Sequence, residues 1–188
     1  MLQEVSQKMK WQIDPSHTSA SVSARHLMLS TVRASLSGTT GEVDFEQARP
    51  EAAKIRLAIP AASVNTGDEK RDGHLRSPDF LDVERFPEIT FQSTKVRKAD
   101  GPTYTVTGDL TIRGKTLPVD VRVQVNGVID GMKGKVAGFS GTATIDRTKW
   151  GLVWNVPIPG GVLVSEQFKL EFDLQAIEVT AVAEIAAA

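Results

Sequence analysis

Four side chains capable of ion pairing or proton chemistry crowd one stretch of this chain: Arg71, Asp72, His74 and Arg76. Arginine forks two hydrogen bonds onto a phosphate, and free amides at a helix N-terminus attract anions. The cluster reads two ways. It is either a seat for a phosphate or pyrophosphate head, or an internal pairing of Asp72 with Arg71 or Arg76 that fixes the local fold. His26 stands apart, in phase with Ala20, Val22 and Ala24, so its ring should point to the apolar side of a strand. Such a histidine is either a satisfied core residue or a polar contact for a ligand, its neutral imidazole donating or accepting.

Other chemistries find less support. The 188 residues include no cysteine, which excludes disulfides, a thiolate nucleophile and cysteine-ligated metals. His17, His26 and His74 make a three-histidine metal site arithmetically possible, but their spacings match no metal-binding pair and no H-E-x-x-H occurs. A G-x-S-x-G elbow, a P-loop and a Rossmann glycine fingerprint are also missing. A small enzyme or metal-binding protein using His26, His74 and Asp72 is the alternative reading, and no cofactor is expected. Lys and Arg number 22 against 23 Asp and Glu, a net charge of −1, which argues against a nucleic-acid partner. No window approaches the ~20 apolar residues of a transmembrane helix. With no secretory leader in the sequence, a cytoplasmic location is expected; removal of a leader would make it periplasmic.

The elements that must position these groups are strands. Leu117, Val119, Val121, Val123 and Val125 alternate with polar residues, as do Phe168, Leu170, Phe172 and Leu174. Tyr104, Val106, Leu110 and Ile112 form a third run, with Gly108 as an expected bend. Weaker copies occur around Ala20–Ala24, Val43–Phe45, Ile55–Ile59, Ile89–Phe91 and Phe139–Ile145. About eight one-sided strands close most naturally into an antiparallel up-and-down barrel, with a sandwich as competitor. One segment breaks the pattern. Thr66 and Glu69 fit a capping box, and Ser77-Pro78 opens a second short helix, so two helical turns should cross one mouth as a lid or plug.

Nine residues from Leu117 to Val125 span about 30 Å, enough for a long barrel. Inward Ala20, Ala24, Ala34, Gly108, Gly141 and Ala143 leave volume beside Phe45, Phe91, Phe139, Phe168 and Phe172. That volume is either a ligand cavity or taken up by interdigitated side chains, in which case the protein is a filled-core interaction module. Trp150, Trp154, Phe80 and Phe86 belong near turns, lining a mouth or closing the core. Trp11 is expected to pack behind the first strand.

The strings IDPSHTSASVSARH, SVNTGDEKRDGHLRSPDFLDVERFPEITFQST, GDLTIRGKTLPVDV and RTKWGL, in that order, resemble the YceI-like, polyisoprenoid-binding family. The resemblance runs from about Trp11 to Ile177. It implies a lipocalin-like barrel over residues 11–178 with a helical insertion around 67–85, between an extension (1–10) and a tail (179–188). It implies non-catalytic binding or carriage of a long-chain isoprenoid lipid, either polyprenyl phosphate or quinone-like, and a homodimer. Ligand contacts are then expected at His26, Ala24, Phe45, Arg71, His74, Arg76, Phe80, Phe91, Phe139, Trp150, Phe168 and Phe172. Ala34 and Leu36 stand where the family pattern has Gly and Phe, which alters tunnel volume.

Overall fold

The computed structural model describes residues 10–46, 48–132 and 134–179. Its strands are β1 (Lys10–Ile13), β2 (Ser19–His26), β3 (Ser30–Leu36), β4 (Thr40–Asp44), β5 (Lys54–Pro60) and β6 (Glu88–Lys98). They continue as β7 (Thr103–Ile112), β8 (Lys115–Gly131), β9 (Gly134–Asp146), β10 (Pro157–Ile158), β11 (Gly161–Val162) and β12 (Val164–Val179). One helix, α1 (Glu69–Arg76), interrupts the series.

Ten of these strands form one antiparallel sheet that closes on itself through the pairing of β1 with β12. β1 and β2 are two halves of one stave, broken by a 3-10 turn at Pro15–His17, and β3 and β4 are two halves of the next. The result is a closed eight-stave up-and-down barrel, which leaves few unpaired edges. Lys10 and Val179 are strand residues paired with each other; the rest of the expected extension and tail lies outside the described residues.

The alternating runs deliver their apolar members to the interior. Val121 and Val123 are buried while Asp120, Arg122 and Gln124 face solvent. Trp11 is buried behind the first stave, its Nε1 donating to the Phe45 carbonyl at 2.9 Å. Phe45 then meets Phe139 edge-on at 5.4 Å between ring centroids.

Gly108 is not a bend. β7 pairs with β8 without a register break, and the irregularity falls on β6 between Ser93 and Lys95. Gly108 is a place of close approach: a Cβ there would lie 2.3 Å from the Phe91 ring. Gly141 holds the Phe172 ring in the same way, at 2.2 Å. These two glycines therefore seat phenylalanine rings instead of leaving open volume.

The insertion also differs from expectation. Thr66 does not cap the helix; Asp68 does, its carboxylate accepting from the Arg71 amide at 2.9 Å. Ser77-Pro78 opens no second helix. Ser77 instead closes α1 through its hydroxyl and amide, both donating to the His74 carbonyl, and residues 78–81 are turns.

Candidate functional site

The barrel encloses a cavity of about 740 Å³ that runs from Pro50 and Ala53 near one end to α1 at the other. Its wall is almost wholly aliphatic and aromatic, so the interior is not filled by interdigitation. A cavity this size falls in the range of sites that enclose small molecules, roughly 300–1,000 Å³. Most of its charged side chains gather at one end, where Arg25, His26, Asp68, Lys70, Arg71 and His74 border the opening; Ser21, Thr39, Tyr104 and Glu171 line it elsewhere, and the buried Thr39 hydroxyl has no hydrogen-bond partner among the described residues.

That opening exists because of the broken staves. β5 ends at Pro60, so β3 has no strand partner on its outer side, only a bridge between Ser35 and Asn65. The chain from Ala61 to Pro87 covers this gap. Arg76 ties it down, donating to the Ala62 carbonyl at 2.9 Å and the Val64 carbonyl at 2.8 Å. Asp72 is buried and accepts from both the amide and the hydroxyl of Thr66, at 2.8 and 2.6 Å. The Thr66 hydroxyl lowers the Asp72 carboxyl below its ordinary pKa, helped by the Thr66 amide and the charges of Arg76 and Arg71 and opposed by burial. Arg71 joins this group through its Nε, 2.8 Å from the Thr66 hydroxyl.

A second loop, Arg147 to Leu163, covers the other side of the same end. Arg147 has no exposed surface. Its guanidinium donates to the Ser165 carbonyl at 3.0 Å, to Trp154 at 3.0 Å, to Val164 at 3.4 Å and to Leu152. Phe80 and Phe168 flank it at 5.9 and 5.7 Å. Burial pulls its pKa down while the charges of Glu166 and Asp146 oppose that. The two loops meet in an aromatic cluster: the His74 ring lies edge-on to Trp154 at 4.5 Å and to Phe80 at 5.2 Å. His74 Nε2 is 2.9 Å from Asp79.

Of the twelve expected contacts, His26, Ala24, Phe45, Arg71, His74, Phe80, Phe91, Phe139, Phe168 and Phe172 line the cavity. Arg76 and Trp150 do not. Arg76 is engaged with backbone carbonyls, and Trp150 is buried among Leu110, Ile112, Ile145 and Leu152 with its Nε1 donating to Leu110. Ala34 and Leu36 both line the cavity. Asp72 pairs with Thr66 rather than directly with an arginine. The three histidines do not converge: His17 is held by Asp14 at 2.8 Å, away from the cavity lining. Among the described residues no group of three or more His, Asp or Glu side chains stands close enough to hold a metal ion.

Sequence reasoning passed over Arg147, Arg25 and Lys70. Arg147 lies in the quoted RTKWGL string, yet nothing in its local pattern shows that a loop wraps around it. Arg25 lies on the outer side of its strand by alternation, yet it borders the cavity, its guanidinium donating to the Thr31 hydroxyl and the Met28 and Leu29 carbonyls.

The family model described as YceI-like domain matches residues 11–176. A UPF0312 protein from Pseudomonas savastanoi pv. phaseolicola is 39% identical over 128 residues, covering 68% of this chain and 67% of the relative. The crystal structure of Burkholderia cenocepacia BcnA aligns with a TM-score of 0.78 at 24% identity, over 87% of this chain and 98% of that one. A polyisoprenoid binding domain from Saccharophagus degradans, implicated in plant cell wall breakdown, aligns with a TM-score of 0.66 at 14% identity, over 92% and 100%. These two structures share the barrel fold with this chain.

Proposed function

The chain belongs to the YceI-like domain family, and on that premise we propose that it binds a long-chain isoprenoid lipid in its barrel without transforming it. The observation that carries this reading is the cavity of about 740 Å³, mostly apolar in its lining, with most of its charged side chains gathered at one end. A cavity lined by apolar side chains from Pro50 and Ala53 to α1 suits a chain-like molecule. Its burial is driven by loss of apolar surface from water, at about 25 cal/mol per Å² before binding costs are subtracted. The polyisoprenoid binding domain with the same fold supports the ligand class.

The polar rim defines where a head group would sit. Arg76 is taken up by two carbonyls and Arg71 is partly engaged with Thr66, so Lys70, His26 and the remaining donors of Arg71 are what this rim offers a head. The His26 ring has no hydrogen-bond partner among the described residues and borders the cavity where β2 meets β3 and β12. A neutral carbonyl head suits His26, and a phosphate suits Arg71 with Lys70.

Organic extraction of the purified protein followed by mass spectrometry tests this directly. A near-stoichiometric polyprenyl or quinone species is expected, and its head group assigns the rim. An empty extract, repeated after incubation with polyprenyl phosphate and with an isoprenoid quinone, overturns the reading.

A further inference from the structure

The β2–β3 hairpin turns through Leu27 and Met28, both with positive φ, at 53° and 56°. Left-handed positions in a hairpin loop such as this three-residue one, between the paired His26 and Ser30, favour Asn and Gly, because a side chain crowds that conformation. The β7–β8 hairpin of the same molecule follows that rule more closely, turning through Arg113 and Gly114. In β2–β3 the chain instead places two large apolar residues in strained positions and leaves Met28 59% and the next residue, Leu29, 81% exposed. Backbone strain combined with apolar exposure is a cost that packing does not explain.

The tip stands at the mouth of the cavity. Arg25 and His26 at its base line the opening. The Leu27 amide donates to the Leu163 carbonyl at 2.8 Å, and the Leu163 amide to Val156 at 3.0 Å. The second loop therefore lies alongside, with Val153 and Val156 also exposed. The exposed Ile129 and Met132 belong to the β8–β9 end, away from this opening.

Four polar backbone groups of the tip, the Leu27 and Leu29 amides and the Met28 and Leu29 carbonyls, have protein partners. The Arg25 guanidinium donates to the Met28 carbonyl at 2.8 Å and to Leu29 at 3.1 Å, and the Leu29 amide donates to His26 at 3.0 Å. Groups bonded in this way lose little when water is withdrawn. The arrangement leaves apolar side chains outermost and a cation directly beneath them, complementary to acyl chains under a layer of phosphates. A stable protein interface takes roughly 20–30 residues a side, far more than this tip and its neighbours supply.

We propose that the Leu27–Leu29 tip, with Val153 and Val156, seats in the surface of a lipid bilayer and sets the cavity mouth against it. This rests on the lipid-binding reading and adds how the ligand is exchanged: the mouth opens onto the membrane instead of into water.

Flotation of the full chain on vesicles of phosphatidylcholine and phosphatidylglycerol tests the tip. Leu27→Asn/Met28→Gly should raise Tm, because the turn strain is relieved, while vesicle binding falls at least tenfold. Leu29→Ser, which leaves the turn residues alone, should also lower it. Uptake of a soluble fluorescent farnesyl probe without vesicles should stay unchanged in both variants. Vesicle binding equal to wild type in both variants overturns the proposal. So does a wild type that fails to float and whose self-association, read by sedimentation velocity, is lost in the variants. A wild type that floats but takes up no probe overturns the cavity reading and leaves the tip supported.

Discussion

The barrel wall and the barrel mouth are held together by different forces. Along the wall, β6 to β9 and β12 pair in long registers and bury one apolar face, with Val106, Val121, Val123 and Leu174 repeating one pattern. At the mouth there are few ladder bonds, and arginines do the joining. Arg147 holds four carbonyls, Arg76 holds two, and Arg113 spans the loops through Pro78 at 2.6 Å and Gly151 at 3.1 Å. Charge at the mouth is largely structural, because irregular backbone near a cavity must find donors for its carbonyls. This region can therefore be loosened without dismantling the barrel.

The largest test of that contrast is Arg147→Met, which keeps volume but removes the donors from four carbonyls. A loss of about 3 kcal/mol is expected, from groups costing about 1–3 kcal/mol each when buried unpaired, with some relief from rearrangement. Hydrogen exchange should show the loss concentrated in residues 147–165 while β6 to β9 stay protected. Uniform loss of protection would make mouth and wall one unit.

Ala143→Trp probes the wall. Ala143 borders the cavity and is buried, so an indole there should occupy ligand space and lower isoprenoid binding at least about tenfold, roughly 1.4 kcal/mol. Circular dichroism should be unchanged. Undiminished binding would place the ligand elsewhere.

A smaller effect concerns the acid limb. The carboxyl of Asp72 is held below its ordinary value, so its contribution to stability is complete above the unfolded pKa of about 3.9 and is lost as pH falls through the lowered folded value. Asp72→Asn should lower Tm by a few degrees at neutral pH, with the gap to wild type closing in acid. A gap independent of pH would show that shape, not charge, is what Thr66 reads.

The smallest expected change is at the rim. His26→Leu should weaken a quinone or other polar-headed ligand several-fold and leave its headless hydrocarbon analogue unaffected, as measured by competition binding. Equal losses would make His26 a packing residue.

Much of the wall was legible from residue order. The alternation from Leu117 to Val125 and from Phe168 to Leu174 depends on neighbours two apart, and any strand with one wet face must show it. The inward set at Ala24, Phe45, Phe139 and Phe172 followed from the same phase. The helix cap was less legible: Thr66 and Asp68 are both competent caps, and Thr66 instead serves Asp72, which sits on the first turn facing back. Alternation alone predicts a bend at Gly108, because a missing side chain looks the same whether the chain turns there or a neighbour's ring occupies the space.

By itself the sequence determined the strand phase and the place of the insertion, because backbone sterics and apolar alternation are local. Tertiary structure alone decided the rest. It separated Arg76 and Trp150, which bond and pack inside the fold, from Arg71 and Phe80, which line the cavity. It also brought Arg147 to carbonyls up to 18 residues away and placed an apolar hairpin tip beside the opening. Whether a guanidinium meets a ligand or a carbonyl depends on which backbone groups the folded chain leaves without partners, and that is settled only once the strands have paired.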